Sequence, residues 1–322
     1  MISIDIYPYI FPTKVKKDLK KNRLLLIGIV ILFISISISL YYYAIILLPK
    51  SQVVTSGIDK FGVKEIYSTK GGGREWFLNM ENPKKDPLFS ITDDIPIIKQ
   101  NSDGSWFINN SNTRMNINTP AGDTQWKNIE MTGYVKAISK INETNSLIVT
   151  NTANTDNNND ESKSIEDIDW RARGGVHNSV VPCQGTALGG GIYLDGKVAW
   201  KKEIWHTGGY TEARGTTKVT DSISDRWIGW KIVIYNIDNN SAVKMESYLD
   251  DKDNNEWKKV TTIVDNGGWF ANSPDNIFYS ANCGKPKDYV ITNGGPIATF
   301  RADNIAFNFK DFSIREIQPP LK

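Results

Sequence analysis

Both histidines of the chain, one of its two cysteines and a dense set of Arg, Lys, Trp and Tyr fall in residues 170–210, WRARGGVHNSVVPCQGTALGGGIYLDGKVAWKKEIWHTGGY. Such side chains neutralise anions, move protons and stack on flat apolar surfaces. A strand entered at Trp170 alternates its faces with period two. Arg171, Arg173, Gly175, His177 and Ser179 then share one face, with Trp170, Ala172, Gly174 and Val176 on the other. Further on, Asp195-Gly196 predicts a two-residue type I′ hairpin, a turn that needs positive φ at both central positions. It pairs Leu194 with Lys197 and Tyr193 with Val198. Tyr193, Val198, Trp200, Lys202, Ile204 and His206 thereby share one side, and Ile192, Ala199, Lys201, Glu203 and Trp205 the other. The chemistry expected is a basic and aromatic groove for acidic sugars. Arg171, Gln184, Tyr193, Trp200 and Lys202 are its binding residues, and Arg173, His177, His206 and Tyr210 are placed to act on a bound substrate.

Positioning such a groove falls to a chain of 322 residues with 40% hydrophobic residues, ample for a core. Residues 24–48, LLLIGIVILFISISISLYYYAIILL, form an uncharged run. At about 1.5 Å per residue it crosses a hydrocarbon core of about 30 Å as a tilted helix. A cleaved signal peptide would have a shorter apolar region, about 7 to 15 residues, and a small-x-small site. Lys14, Lys16, Lys17, Lys20, Lys21 and Arg23 precede the run and Lys50 alone closely follows it, which predicts a cytoplasmic N-terminus and an extracellular C-terminal domain on a single-pass anchor. Tyr41, Tyr42 and Tyr43 lie toward the outer end, where aromatic rings favour the interface. The first 23 residues carry six basic and two acidic groups, so a chain of net charge +2 leaves its remainder net acidic. That argues against nucleic acid as a partner.

Cys183 and Cys283 both follow the run, and an oxidising compartment favours their pairing over two unrelated buried thiols. A bridge closing so long a loop stabilises by about 4–5 kcal/mol in the chain-entropy account. The acceptor pattern Asn-x-Ser/Thr occurs at Asn109, Asn142 and Asn239, each in a polar, turn-like context. No cofactor is required by this reading. Asp251, Asp253 and Asn255 belong to an oxygen-rich loop of the kind that holds calcium, although the spacing is not that of an EF-hand.

The segmentation follows composition: a basic tail over 1–23, the span over 24–48, a linker over 49–73 closing on three glycines, one β domain over 74–317 and a short tail over 318–322. Residues 151–163, NTANTDNNNDESK, lack any large apolar side chain and read as a mobile loop within that domain. Strand patterns are expected at 75–79, 105–108, 114–117, 127–140 with a bulge at Gly133, 227–236, 242–250, 257–264, 297–301, 305–309 and 312–317. In 242–250, Val243, Met245 and Leu249 face the core. More than ten short strands over about 250 residues, with no amphipathic helix and no repeat, predict an all-β antiparallel two-sheet sandwich of jelly-roll type after one transmembrane helix.

The segments WIGWKIVIYN, VKMESYLDDKDNNEWKKV and FKDFSIREI resemble, in order and type, the concanavalin A-like jelly roll shared by lectins, laminin-G-type modules, glucanases and alginate-lyase-like enzymes. The resemblance implies that architecture for roughly residues 74–317. Within that group the chain looks nearest to alginate-lyase-type polysaccharide lyases. Their R-x-E-x-R, Q-I/V-H and Y-F-K-x-G-x-Y strands are replaced here by Arg171-Ala172-Arg173, Gln184-Gly185-Thr186 and Trp200-Lys201-Lys202-Glu203. The glucanase acids, E-x-D-x-x-E, are missing as a motif. Three functions follow: binding of acidic polysaccharide by a membrane-anchored extracellular protein, β-elimination of uronate polymers on the same face, or a structural envelope subunit with no site.

Overall fold

The computed structural model describes residues 31–39, 57–91, 97–109, 112–120, 122–123, 125–138, 166–175, 185, 187–204, 213–279 and 282–320. The chain divides into two compact units, Met1–Val53 and Val54–Lys322. In the first, residues 31–39 are helical, and the hydroxyls of Ser35 and Ser37 donate to the carbonyls of Leu32 and Phe33. Among the described residues no helix is long and apolar enough to cross a membrane; the rest of the apolar run over 24–48 lies outside them, as do residues 151–163.

The second unit is an antiparallel sandwich. In chain order its strands are β1 (Glu75–Phe77), β2 (Phe89–Ile91), β3 (Ile97–Gln100), β4 (Trp106–Asn109), β5 (Asn112–Asn118), β6 (Ile129–Ile138), β7 (Asp167–Gly174), β8 (Ala187–Tyr193), β9 (Lys197–Glu203), β10 (Arg214–Lys218), β11 (Ile228–Ile237), β12 (Ala242–Asp250), β13 (Lys258–Asp265), β14 (Ile297–Asp303) and β15 (Ala306–Glu316). One sheet has eight strands, ordered β13-β12-β11-β6-β15-β4-β3 with β1 also on β15. The other has seven, ordered β10-β9-β8-β7-β14-β5-β2.

Alternation builds the core between them. Trp170 of β7, Trp200 of β9, Trp230 of β11, Phe300 of β14 and Phe309 and Phe312 of β15 are all buried there. The rings of Phe300 and Phe312 stack at 4.4 Å, and Trp170 meets Phe300 edge-on at 5.0 Å. Such pairs add about 0.5–1.5 kcal/mol beyond the area they bury. The two sheets are also joined by a hydrogen bond, Trp230 Nε1 donating to the carbonyl of Gly190 at 3.1 Å. Only glycine permits this approach. A Cβ on Gly190 would stand 2.7 Å from Ile232 and 3.0 Å from the Trp200 ring.

The expected strands at 305–309 and 312–317 are one long strand, β15, with a register shift between Lys310 and Ser313 where Asp311 takes φ 57°. The bulge expected at Gly133 within 127–140 is therefore not in that strand but in its partner, opposite Gly133. The β6–β11 ladder runs unbroken through Gly133. Gly133 is glycine because Phe312 lies on it, with ring carbon Cδ1 2.1 Å from where a Cβ would be.

The stretch after Gly57, expected as part of a linker, instead packs across the outer face of the eight-stranded sheet. Glu130 on that face is buried and accepts from Lys231 Nζ at 2.7 Å, Arg315 Nη2 at 2.9 Å and the amide of Ile66 at 3.0 Å. Lys231 also donates to the carbonyl of Lys64, and Arg315 pairs with Glu65. Tyr67 donates its hydroxyl to the buried Glu246 at 2.7 Å. Burial alone would raise the Glu130 carboxyl, but Lys231 and Arg315 outweigh it and hold it below the usual range.

Glu130→Ala leaves two buried cations without their shared carboxylate, so it should cost about 3–5 kcal/mol, against about 1 kcal/mol or less for Glu65→Ala at the half-buried rim. Urea unfolding of the two variants measures the difference. Equal, small losses would show that Glu130 does not hold the stretch after Gly57 on the sheet.

Candidate functional site: the outer face of the seven-stranded sheet

Three neighbouring strands of this sheet, β5, β14 and β7, send apolar side chains inward and polar ones outward. In β5, Met115 and Ile117 are buried in the core while Arg114 and Asn116 face out; in β14, Ala298, Phe300 and Ala302 are buried while Thr299, Arg301 and Asp303 face out. In β7 the inward set is Ile168, Trp170 and Ala172, and the outward set is Asp167, Asp169 and Arg171. Register aligns these outward residues in rows. Asn116, Thr299, Arg171, Gly189 and Lys201 form one, and Arg114, Arg301, Asp169, Gly191 and Ala199 the next.

The rows are tied by ion pairs. Arg171 Nε lies 2.8 Å from Asp169 Oδ2, and its guanidinium also meets Glu203. Lys201 meets Asp167 and sits 3.7 Å from Asp169. Asp303 receives Arg114 at 2.8 Å and Arg301 at 2.6 Å, and the Thr299 hydroxyl donates to Asn116 Oδ1 at 2.8 Å. Gly189 and Gly191 lie between the charged strands, and their lack of side chains lets the charges reach across β8. A Cβ on Gly189 would stand 2.6 Å from Asp169 Oδ1.

Four cations therefore face four carboxylates: Arg114, Arg171, Arg301 and Lys201 against Asp167, Asp169, Glu203 and Asp303. Their environments are unequal. Burial and the Asp169 charge push Asp167 up to about 6 against the pull of Lys201. For Asp169 burial works in the same direction, but Arg171, Lys201 and Arg301 outweigh it and hold the carboxyl below the usual range. A pocket of about 190 Å³ opens on this lattice, lined by Arg114, Asn116, Arg171, Glu203, Thr299 and Arg301 among others.

No family model and no curated protein matches this sequence. Among solved structures, the chain is similar to peanut lectin with a nine-residue peptide, at 9% identity over 77% of this chain and 99% of that one, with TM-score 0.38. It is similar to the metal-free carbohydrate recognition domain of Emp46p, at 8% identity over 75% and 94%, TM-score 0.41. A third likeness is to a Bacillus subtilis protein of unknown function with a galectin-like fold, at 9% identity over 79% and 100%, TM-score 0.41. These likenesses are distant, and the architecture rests on this chain's own strand pairing.

The structure divides the residues expected to form the groove. Arg171 and Tyr193 are on the outer face, with Lys201 Nζ 5.5 Å from the centre of the Tyr193 ring. Trp200 and Lys202 are not. The β8–β9 loop has three residues, not two: the Gly196 amide donates to Tyr193 at 2.9 Å, Gly196 has φ 82°, and Ile192 pairs with Val198. The shift of one residue exchanges the two faces of β9. Trp200 goes into the core, its indole N–H donating to Thr261, and Lys202 is buried against Asp265 at 2.7 Å. Lys201 and Glu203 take the outward places.

Arg173 also leaves the face on which Arg171 stands. The β7–β14 register shifts between Arg171 and Gly174, and Arg173 takes φ 62°. Its guanidinium is buried, donating to the carbonyls of Lys127 at 3.0 Å and Ile291 at 2.5 Å, while Nη2 has no partner. Burial pulls this arginine down to about 9. His177, Gln184, His206, Tyr210, Cys183 and Asn142 lie outside the described residues. Cys283 is disulfide-bonded.

In the oxygen-rich turn, Asp251 pairs with Arg226 at 2.9 Å, Asp253 with Lys310 at 2.9 Å, and Asn255 Oδ1 accepts from the Lys64 amide and the Trp257 indole. Among the described residues no three acid, His or Cys side chains cluster as metal ligands. Asn109 ends β4 and Asn239 sits in the β11–β12 turn with φ 54°, both exposed.

Sequence reasoning missed Asp167, Asp169, Arg114, Arg301 and Asp303. The signal was there: D-I-D-W-R-A, N-T-R-M-N-I-N and T-F-R-A-D all alternate polar with apolar. The strand begins at Asp167, three residues before Trp170, and so includes both acids.

The folded Asp167 carboxyl binds its proton more tightly than the unfolded one, so its contribution to stability is full below about pH 4 and declines as pH rises through about 6. Asp167→Asn should remove this decline. Denaturation profiles from pH 4 to 7 test it, and an unchanged slope in the variant would refute the assignment.

Proposed function

We propose that this protein binds carbohydrate on the outer face of the seven-stranded sheet, at the pocket lined by Arg114, Asn116, Arg171, Glu203, Thr299 and Arg301. The observation that carries the reading is the interlocked polar lattice at that pocket. Its hydrogen-bonding groups are fixed by one another before any ligand arrives, so few side chains must be ordered on binding. Donors and acceptors alternate there, as a ring carrying several hydroxyls requires.

The charge balance bears on which sugar. Sequence suggests a cationic groove for acidic polysaccharide, but each cation on this face is matched by a carboxylate, and Trp200 and Lys202 are in the core. The pocket therefore suits a neutral, hydroxyl-rich sugar. Of the groups a lyase would use, Arg173 is buried away from this face, and binding requires none of them.

Asn116→Ala combined with Thr299→Val removes two pocket-lining polar groups without touching an ion pair. Full-length protein in detergent should lose at least about tenfold in affinity for the neutral glycans it selects from a panel. No binding to any neutral glycan would overturn the reading.

The anchor belongs to the same proposal. The apolar run over 24–48 and the basic residues before it support a single-pass protein with its sandwich outside the cell, where Cys183 is the partner of Cys283. Protease added to intact cells should remove the sandwich, and non-reducing peptide mapping should recover the linked pair. A protected sandwich would reverse the topology, and a mixed disulfide at Cys283 would remove the pairing.

A further inference from the structure

We propose a second binding groove, for an anionic oligosaccharide, at the β12–β13 end of the eight-stranded sheet. It is independent of the pocket on the other sheet. The groove has a volume of about 680 Å³ and lies between residues 64–66 and the β12–β13 turn, with Trp257 in its lining. Its size suits a chain of several sugar rings, since sites for ligands of that order fall in the range of roughly 300–1,000 Å³.

The groove is built on a fixed frame. Asp250, wholly buried, caps the turn by accepting from the amides of Asn254 at 3.2 Å and Asn255 at 2.6 Å and from the Tyr134 hydroxyl at 3.0 Å. Asn255 then ties the turn to residues 62–64, accepting from the Lys64 amide at 2.8 Å and donating to the Gly62 carbonyl at 2.9 Å. The same amide oxygen receives the Trp257 indole N–H, while the Lys231 ammonium lies 4.4 Å from the ring centre. Trp257 is half-buried and is held by these two contacts.

The charges of the groove are unevenly spent. Glu65 is committed to Arg315 and Asp251 to Arg226. Lys64, Lys252 and Lys258 are exposed, and among the described residues none of the three has a carboxylate partner. Three ammonium groups thus stand against the exposed carboxylate of Glu256. That excess attracts an anion, the indole offers a flat surface for the C–H face of a sugar ring, and Asn254 and Glu256 can bond hydroxyls. A ligand carrying carboxylate or sulfate groups together with hydroxyls satisfies all three; an acidic peptide such as pentaglutamate carries the charge without a ring face for the indole.

Calorimetric titration of the full-length protein in detergent with trigalacturonate and with a heparin-derived tetrasaccharide tests this, with maltotriose as the neutral control. At least one anionic probe should bind, and binding should weaken about tenfold or more between 50 and 300 mM salt. Lys252→Glu with Lys258→Glu reverses two exposed charges that hold nothing in the fold, and should abolish that binding. Asn116→Ala with Thr299→Val should leave it unchanged, so failure here is separable from failure of the first pocket. Absence of binding by both anionic probes, equal binding by the charge-reversed variant, or equal competition by pentaglutamate would overturn the proposal.

Discussion

The composition of the candidate face depends on the register of one hairpin. Side chains of a strand alternate strictly, so the number of residues in the β8–β9 turn decides which half of β9 is core. The Gly196 amide closes a three-residue loop on Tyr193, and Gly196 adopts a φ of 82° that a side chain would resist. The loop is held from outside as well. A Cβ on Gly196 would fall 2.2 Å from the carbonyl oxygen of Thr220, and Ile223 donates to Leu194 at 3.1 Å. With this register, Val198, Trp200 and Lys202 are buried while Lys201 and Glu203 join Asp167, Asp169 and Arg171.

The two sheets handle charge on their outer faces differently. On the eight-stranded sheet, the chain's own residues 57–69 cover the charges. Backbone amides and carbonyls complete the hydrogen bonding of Glu130, Lys231 and Arg315, so these three charges are covered. On the seven-stranded sheet the corresponding charges complete one another across strands, and a pocket remains above them. Burial makes both arrangements sensitive to loss of a single partner, because a buried ion without its counter-ion keeps its desolvation cost.

Small residues connect the core to that pocket. Gly190 turns inward and lets Trp230 of the opposite sheet reach its carbonyl, whereas Gly189 and Gly191 turn outward and leave room for Asp169 and Arg171. Three consecutive glycines in β8 thus serve two faces. The cost of glycine in a strand, about 0.5–1 kcal/mol each, is offset by the contacts that pass over it.

By itself the sequence determined the all-β class and the antiparallel strands, because period-two alternation bounded by Gly, Asn and Asp leaves little choice of local structure. It also carried the alternation of β12, where Val243, Met245 and Leu249 are core. The candidate face was legible only in part: Arg171 and Tyr193 stand on it, but on β9 the expected Trp200 and Lys202 gave way to residues one place along the strand. Asp-Gly is compatible with both a two-residue and a three-residue turn, and only the clamp by residues 220–223, distant from the hairpin's own ladder, selects between them. Likewise the bulge that turns Arg173 inward is set by pairing with β14, more than a hundred residues away in sequence. Tertiary structure also decided that residues 57–69 are part of the sandwich, since the charges that bind them, Glu130, Lys231 and Arg315, come together only when β6, β11 and β15 pair.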